Sequence, residues 1–205
     1  MPLIDITRPV SADLPVWPGD TPYQFRFAWK MADGASVNVG AVTTTTHLGT
    51  HADAPLHFDH AGKSIDAIDL AVYVGPAIVI DARGRPTIDA DAFAAVTSAT
   101  PRVLVRTDAW PVGSPFPQTV PTLTEAAVTL LRERGVVLLG VDVPSVDAID
   151  SKTLPIHHAL HAAGIAIVES LDLAHVEPST YDLISLPLKL AGADASPVRA
   201  VLVKQ

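Results

Sequence analysis

The stretch from Thr43 to His57, TTTTHLGTHADAPLH, restricts this chain more than any other. It places His47, His51, Asp53 and His57 at spacings of four, two and four. On a regular helix His47 and His51 would share a face, but the neighbouring residues oppose a helix. Thr43, Thr44, Thr45 and Thr46 are all β-branched, Gly49 interrupts, and Pro55 has no backbone N–H for an interior helical bond. All four candidate side chains fall at odd positions, so an extended chain would present them to one side. Gly49 and Pro55 would bend that chain and bring them together. Imidazole and carboxylate hold a borderline metal such as zinc where no thiolate is available. A lone histidine here would suit a solvated loop; this constellation points to a metal site.

Composition narrows the partners. The chain has 205 residues, 48 % apolar and 18 % charged, which suits one folded domain with a substantial core. Its net charge is −8 with no run of Lys or Arg, a poor match to a phosphate backbone or an anionic membrane. The absence of cysteine excludes disulfides and thiolate zinc sites. Met1–Ile6 lacks the pattern of a signal peptide, and no stretch approaches the roughly 18 apolar residues of a membrane span. A soluble, cytoplasmic protein is the expectation.

Along the chain, Leu3–Thr7 reads as a short strand. A turn-rich segment, Val16 to Pro22, then presents Trp17 on a rigid loop. Tyr23, Phe25, Phe27 and Trp29 alternate with polar residues, the pattern of a half-buried strand. Residues 36–46 are strand-like and lead into the opening motif. Residues 75–81, 102–107, 136–141, 165–168 and 198–203 read as strands. Helices are expected from Thr124 to about Arg134, stopped by Gly135, and from Pro155 to Ala163, stopped by Gly164. A further short helix could cover 89–96, and Pro111–Pro121 reads as an irregular excursion. This predicts a single α/β domain, residues 1–205. Its sheet is mixed, with a strand-rich N-terminal half and strand–helix alternation in the C-terminal half.

Seven of the eight histidines fall in two places, at 47, 51, 57 and 60 and at 157, 158 and 161. On the second helix His157 and His161 share a face, while His158 points elsewhere. Glu169 follows the apolar strand 165–168, at the strand end where open α/β sheets place their chemistry. A buried carboxylate there needs a metal, an arginine or backbone donors. Asp142 and Ser145 also follow an apolar strand; they could line the same crevice or make only local turn bonds.

With these pieces placed, the chain resembles the cyclase family of metal-dependent hydrolases, and within it the bacterial formamidase branch. The resemblance is carried by His47-x-Gly49-Thr50-His51-x-Asp53-x-Pro55-x-His57 and by Trp17-Pro18-Gly19-Asp20. It continues through Gly75-Pro76-Ala77, Asp142-x-x-Ser145-Val146-Asp147, and His157 with Glu169 twelve residues on, to Leu186-Pro187-Leu188 and Gly192-x-Asp194-x-Ser196-Pro197-Val198-Arg199. It implies two zinc ions sharing Asp53, the first held with His47 and His51, the second with His157 and Glu169. Manganese would favour a sister enzyme of the isatin hydrolase kind. It also implies His57 as the catalytic acid/base, Trp17 against the substrate, N-formylkynurenine as that substrate, and a homodimer. The family spacing selects His157 over His161, a choice helical geometry leaves open. A non-catalytic metal-binding module is the reading from a different class. No G-x-G-x-x-G, P-loop or G-x-S-x-G is present.

Overall fold

The computed structural model describes residues 2–204. In chain order its first strands are β1 (Leu3–Asp5), β2 (Gln24–Trp29), β3 (Val39–Thr43), β4 (His51–Asp53) and β5 (Val74–Asp81). Then come β6 (Thr87–Ile88), β7 (Arg102–Arg106), β8 (Thr122–Leu123), helix α1 (Glu125–Glu133) and β9 (Leu138–Val141). Helix α2 (Pro155–Ala162), β10 (Ala166–Glu169), β11 (Thr180–Ile184), β12 (Ala195–Pro197) and β13 (Val201–Lys204) complete the chain. Nine strands form one mixed sheet in the order β1-β13-β11-β5-β7-β9-β10-β4-β12. The inner strands β5, β7, β9 and β10 run parallel, and antiparallel neighbours flank them on both sides.

The inner strands are apolar at nearly every position because both faces are covered. Ile78, Ile80, Val103, Val105, Leu139 and Val141 point into one core, against Val128 and Leu131 of α1 and Ile156 and Leu160 of α2. The intervening Ala77, Val79, Leu104 and Leu138 point to the other face, where Ile6, Tyr73, Leu173 and Leu202 pack. This two-residue alternation is how a single sheet supports two cores. Helix α1 begins at Thr124, whose hydroxyl accepts from Ala127 N at 3.1 Å. Helix α2 begins after Leu154, which is held in the left-handed region at φ 44°.

The structure corrects two local expectations. The segment around 89–96 is only a 3-10 turn, Ala90–Phe93, capped by Asp89. β2 is a strand, as its alternation suggests, but no residue of it is buried. It pairs only with β3, in a separate hairpin that leaves Phe25, Phe27, Trp29 and Val42 exposed. Alternation reports two unlike faces; what covers the apolar one is a tertiary matter.

Candidate metal centre

The opening motif is built around β4. Gly49 adopts φ +55°, and a Cβ there would approach Leu14 Cδ2 at 3.1 Å, so the bend favours glycine. β4 inserts between β10 and β12, with His51 opposite Glu169 in the antiparallel register. After Asp53 the chain turns through a 3-10 segment, Pro55–His57. Gly62 packs so tightly behind this turn that an added Cβ would lie 2.5 Å from the Pro55 carbonyl carbon. The turn carries His57 back until its ring centroid is 4.0 Å from that of His47.

Helix α2 supplies His157, and Asp147 governs its placement. The Asp147 carboxylate accepts from the N–H groups of Ile156 and His157, both at 3.0 Å, and so caps the exposed helix start. The same Oδ2 lies 2.7 Å from His157 Nδ1. Glu169 is fixed from the same loop, its Oε1 accepting from Val146 N at 2.9 Å.

Three imidazoles thus have one nitrogen occupied and the other turned inward. His51 Nδ1 donates to Gly49 O at 2.8 Å, His157 Nδ1 faces Asp147, and His47 Nε2 faces Asp194 Oδ2 at 3.1 Å. The remaining nitrogens gather on two buried carboxylates. His47 Nδ1 and His51 Nε2 lie 3.1 and 3.3 Å from Asp53 Oδ1. His157 Nε2 lies 3.6 Å from Asp53 Oδ2 and 3.5 Å from Glu169 Oε1, and His51 Nε2 is 3.5 Å from Glu169 Oε2. Two sets are compact enough for one ion each, His47–Asp53–His57 and His51–Asp53–Glu169, and both contain Asp53. They divide the residues differently from the partition implied by the resemblance, because His57 joins His47 while His51 sits beside Glu169.

The residues present fit a metal. Both carboxylate oxygens of Asp53 and Nε2 of His51 are buried without a hydrogen-bond partner. Such orphaned groups are costly unless something positively charged fills the gap. Without it, protons do part of that work. Burial opposes charge on His47 and His157, yet hydrogen bonds to carboxylates prevail. His47 is carried up to about 9 by Asp53 and then Asp194, and His157 to about 10 by Asp147 and Asp53. Burial and the neighbouring Asp53 charge push Glu169 up to about 7. Burial raises Asp53 as well, but the three imidazoles facing it hold it well below the carboxylate range. His57 goes the other way: burial, reinforced by the charges of His47 and His157, lowers it despite Asp53.

A cavity of about 410 Å³ opens onto this cluster. Trp17, Trp110 and Phe116 form an aromatic wall, with Phe116 edge-on to Trp17 at 5.3 Å and to Trp110 at 5.8 Å. The Trp17–Asp20 turn is closed by Asp20 N donating to Trp17 O at 2.9 Å. Trp110 is braced by buried Arg8, whose guanidinium lies 3.8 Å over the indole and also donates to Trp110 O. Asp142 does not line the cavity; it accepts from Thr107 N and Asp108 N, each at 2.8 Å, and ties the ends of β7 and β9 together. Ser145 does line it. His60 lies on the surface, while Phe58 packs between His157, His158 and His161 and keeps the last two away from the centre. Sequence reasoning gave no role to Asp194, Asp147 or Phe116; Asp194 is distant in sequence from His47, Asp147 and Phe116 meet their partners across irregular loops, and no periodicity links them.

The cyclase family model matches residues 4–148. The chain belongs to the cyclase family. This cyclase-family chain is 47 % identical over 204 residues, 99 % of its length and 98 % of the relative's, to a kynurenine formamidase of Geobacillus thermodenitrificans. In structure it is similar to a potential metal-dependent hydrolase with cyclase activity, with TM-score 0.82 at 27 % identity over 98 % of this chain and 96 % of the other. It is also similar to isatin hydrolase A from Ralstonia solanacearum, with TM-score 0.84 at 27 % identity over 99 % and 92 %. These likenesses and the orphaned ligand atoms together support a metal cofactor.

Proposed function

We propose that this chain is a zinc-dependent arylformamidase that hydrolyses N-formyl-L-kynurenine to L-kynurenine and formate. The observation that carries the reading is Asp53, a buried carboxylate with neither oxygen hydrogen-bonded and three imidazole nitrogens turned toward it. The 47 % identical formamidase supplies the substrate class. Two zinc ions would be held by His47, His51, Asp53, His157 and Glu169, with Asp53 shared. Bound zinc lowers the pKa of water toward about 7 and stabilises developing negative charge on a carbonyl oxygen.

The protein's own groups do the rest. Trp17, fixed on its turn, offers a flat face to the anthranoyl ring, and Phe116 and Trp110 exclude water behind it. His57 is kept neutral at pH 7 by its depressed pKa, so it can take a proton from the attacking water. It then returns that proton to the anilide nitrogen as the C–N bond breaks, which lets an aryl amine leave. A homodimer is proposed on separate grounds: the β2–β3 hairpin exposes more contiguous aromatic surface than a solitary chain needs.

The likeness to isatin hydrolase favours a second reading, ring opening of a cyclic amide at the same centre. Purified, zinc-loaded protein given N-formylkynurenine and isatin in parallel separates the two. Formate release with kcat/KM at least about 10-fold above that for isatin supports the formamidase. The reverse order overturns it.

A further inference from the structure

We infer that Asp194 is a positioning residue for His57, holding the proton on His57 Nδ1 and leaving Nε2 as the nitrogen offered to substrate. Only the choice of substrate in the kinetic test rests on the formamidase reading. Asp194 is anchored at three points, one on its backbone and two on its carboxylate. Its backbone carbonyl accepts from Ala54 N at 2.8 Å, directly after β4. Its Oδ1 accepts from the Thr46 hydroxyl at 2.8 Å, and its Oδ2 faces His47 Nε2 at 3.1 Å. The same Oδ2 lies 3.7 Å from His57 Nδ1, and the two histidines are its only ion-pair partners among the described residues.

The His57 ring makes no hydrogen bond shorter than this contact among the described residues, and Asp194 is the carboxylate that faces its Nδ1. Its ring stands 4.0 Å from that of His47, so one carboxylate oxygen spans both imidazoles. An ionised carboxylate has lone pairs enough for three donors. Hydrogen bonds to catalytic groups are often long before substrate binds and tighten on binding. A carboxylate behind an imidazole selects its tautomer: with Nδ1–H committed to Asp194, the bare nitrogen is Nε2, on the opposite side of the ring. His57 is about a third exposed and lines the cavity, so an untethered ring would sample both orientations. The alternative is that Asp194 serves His47 alone.

The experiment uses ¹⁵N-labelled, zinc-loaded protein, with the His57 ring signals assigned by comparison with His57→Ala. Two-bond ¹H–¹⁵N spectra should show His57 as the Nδ1–H tautomer in the wild type and displaced from it in Asp194→Asn. With zinc saturating, Asp194→Asn should lose about 10²-fold or more in kcat on N-formylkynurenine while KM changes by less than about threefold, and Asp194→Glu should recover part of the loss. An Nε2–H tautomer in the wild type overturns the inference. So does full kcat in Asp194→Asn once zinc is saturating, which would assign the residue to His47. Should the wild type not act on N-formylkynurenine, the formamidase reading fails, and the wild-type tautomer still decides this one.

Discussion

His57 separates a metal store from a catalyst. It lies close enough to His47 and Asp53 to ligate, yet it is partly exposed and its pKa is depressed. If it handles the proton, His57→Ala should lower kcat by about two to four orders of magnitude while zinc per chain, measured by elemental analysis, stays at the wild-type value. The other imidazoles make a different prediction. In the metal-free protein at pH 7, His47 and His157 are protonated, because their values near 9 and 10 lie above the solution pH. Ligation needs their bare nitrogens, so zinc must displace about two protons from these imidazoles, and about half a proton more from Glu169, whose value lies near 7. Affinity should therefore rise with pH up to about 10 and fall as the solution is acidified. Calorimetry of zinc binding in buffers of different ionisation enthalpy reads that proton count. At this scale the candidate cluster of His47, His51, Asp53 and His57 was legible in residue type and spacing, whereas His157 rather than His161 was picked out only by the family resemblance. The roles of Asp194 and Asp147 were not legible, since each depends on which side chain lies across a loop.

Among the elements, β4 and α2 matter most, and both are held by contacts that their own propensities do not provide. β4 has three residues and survives by pairing on both edges. α2 has eight residues and starts from a left-handed leucine with no cap of its own; the carboxylate of Asp147 takes the place of a cap. Asp147→Ala should cost about 1–2 kcal/mol in stability, read from thermal or denaturant unfolding of the metal-free protein. It should also weaken zinc binding about 10–100-fold, because His157 loses its orienting partner. The parallel strands were legible as apolar runs, and both helices ended where Gly135 and Gly164 indicated. The Tyr23–Trp29 segment forms the expected strand over Gln24–Trp29 but is not half-buried, because its apolar face is not covered by this chain's own sheet.

For the molecule as a whole, the β2–β3 hairpin is the region where exposed apolar side chains gather. Phe25, Phe27, Trp29, Met31, Val39 and Val42 are all more than a third exposed. If a second copy covers them, Phe27→Glu with Trp29→Glu should convert a dimer to a monomer in light scattering, with the metal content of each chain unchanged. No composition-based reading could place this surface, since the same residues would suit a core. No helix of the described residues is long and apolar enough to cross a membrane. The mixed sheet itself was legible because alternating and continuous apolar runs distinguish its rim from its centre. The most direct test of the centre's role is to strip the protein of metal, return zinc in measured steps, and follow formate release from N-formylkynurenine against ions bound per chain. The expected result is negligible turnover without metal and a rise to a plateau at two ions per chain. Full turnover in the stripped protein, or no formate with both ions bound, would contradict it.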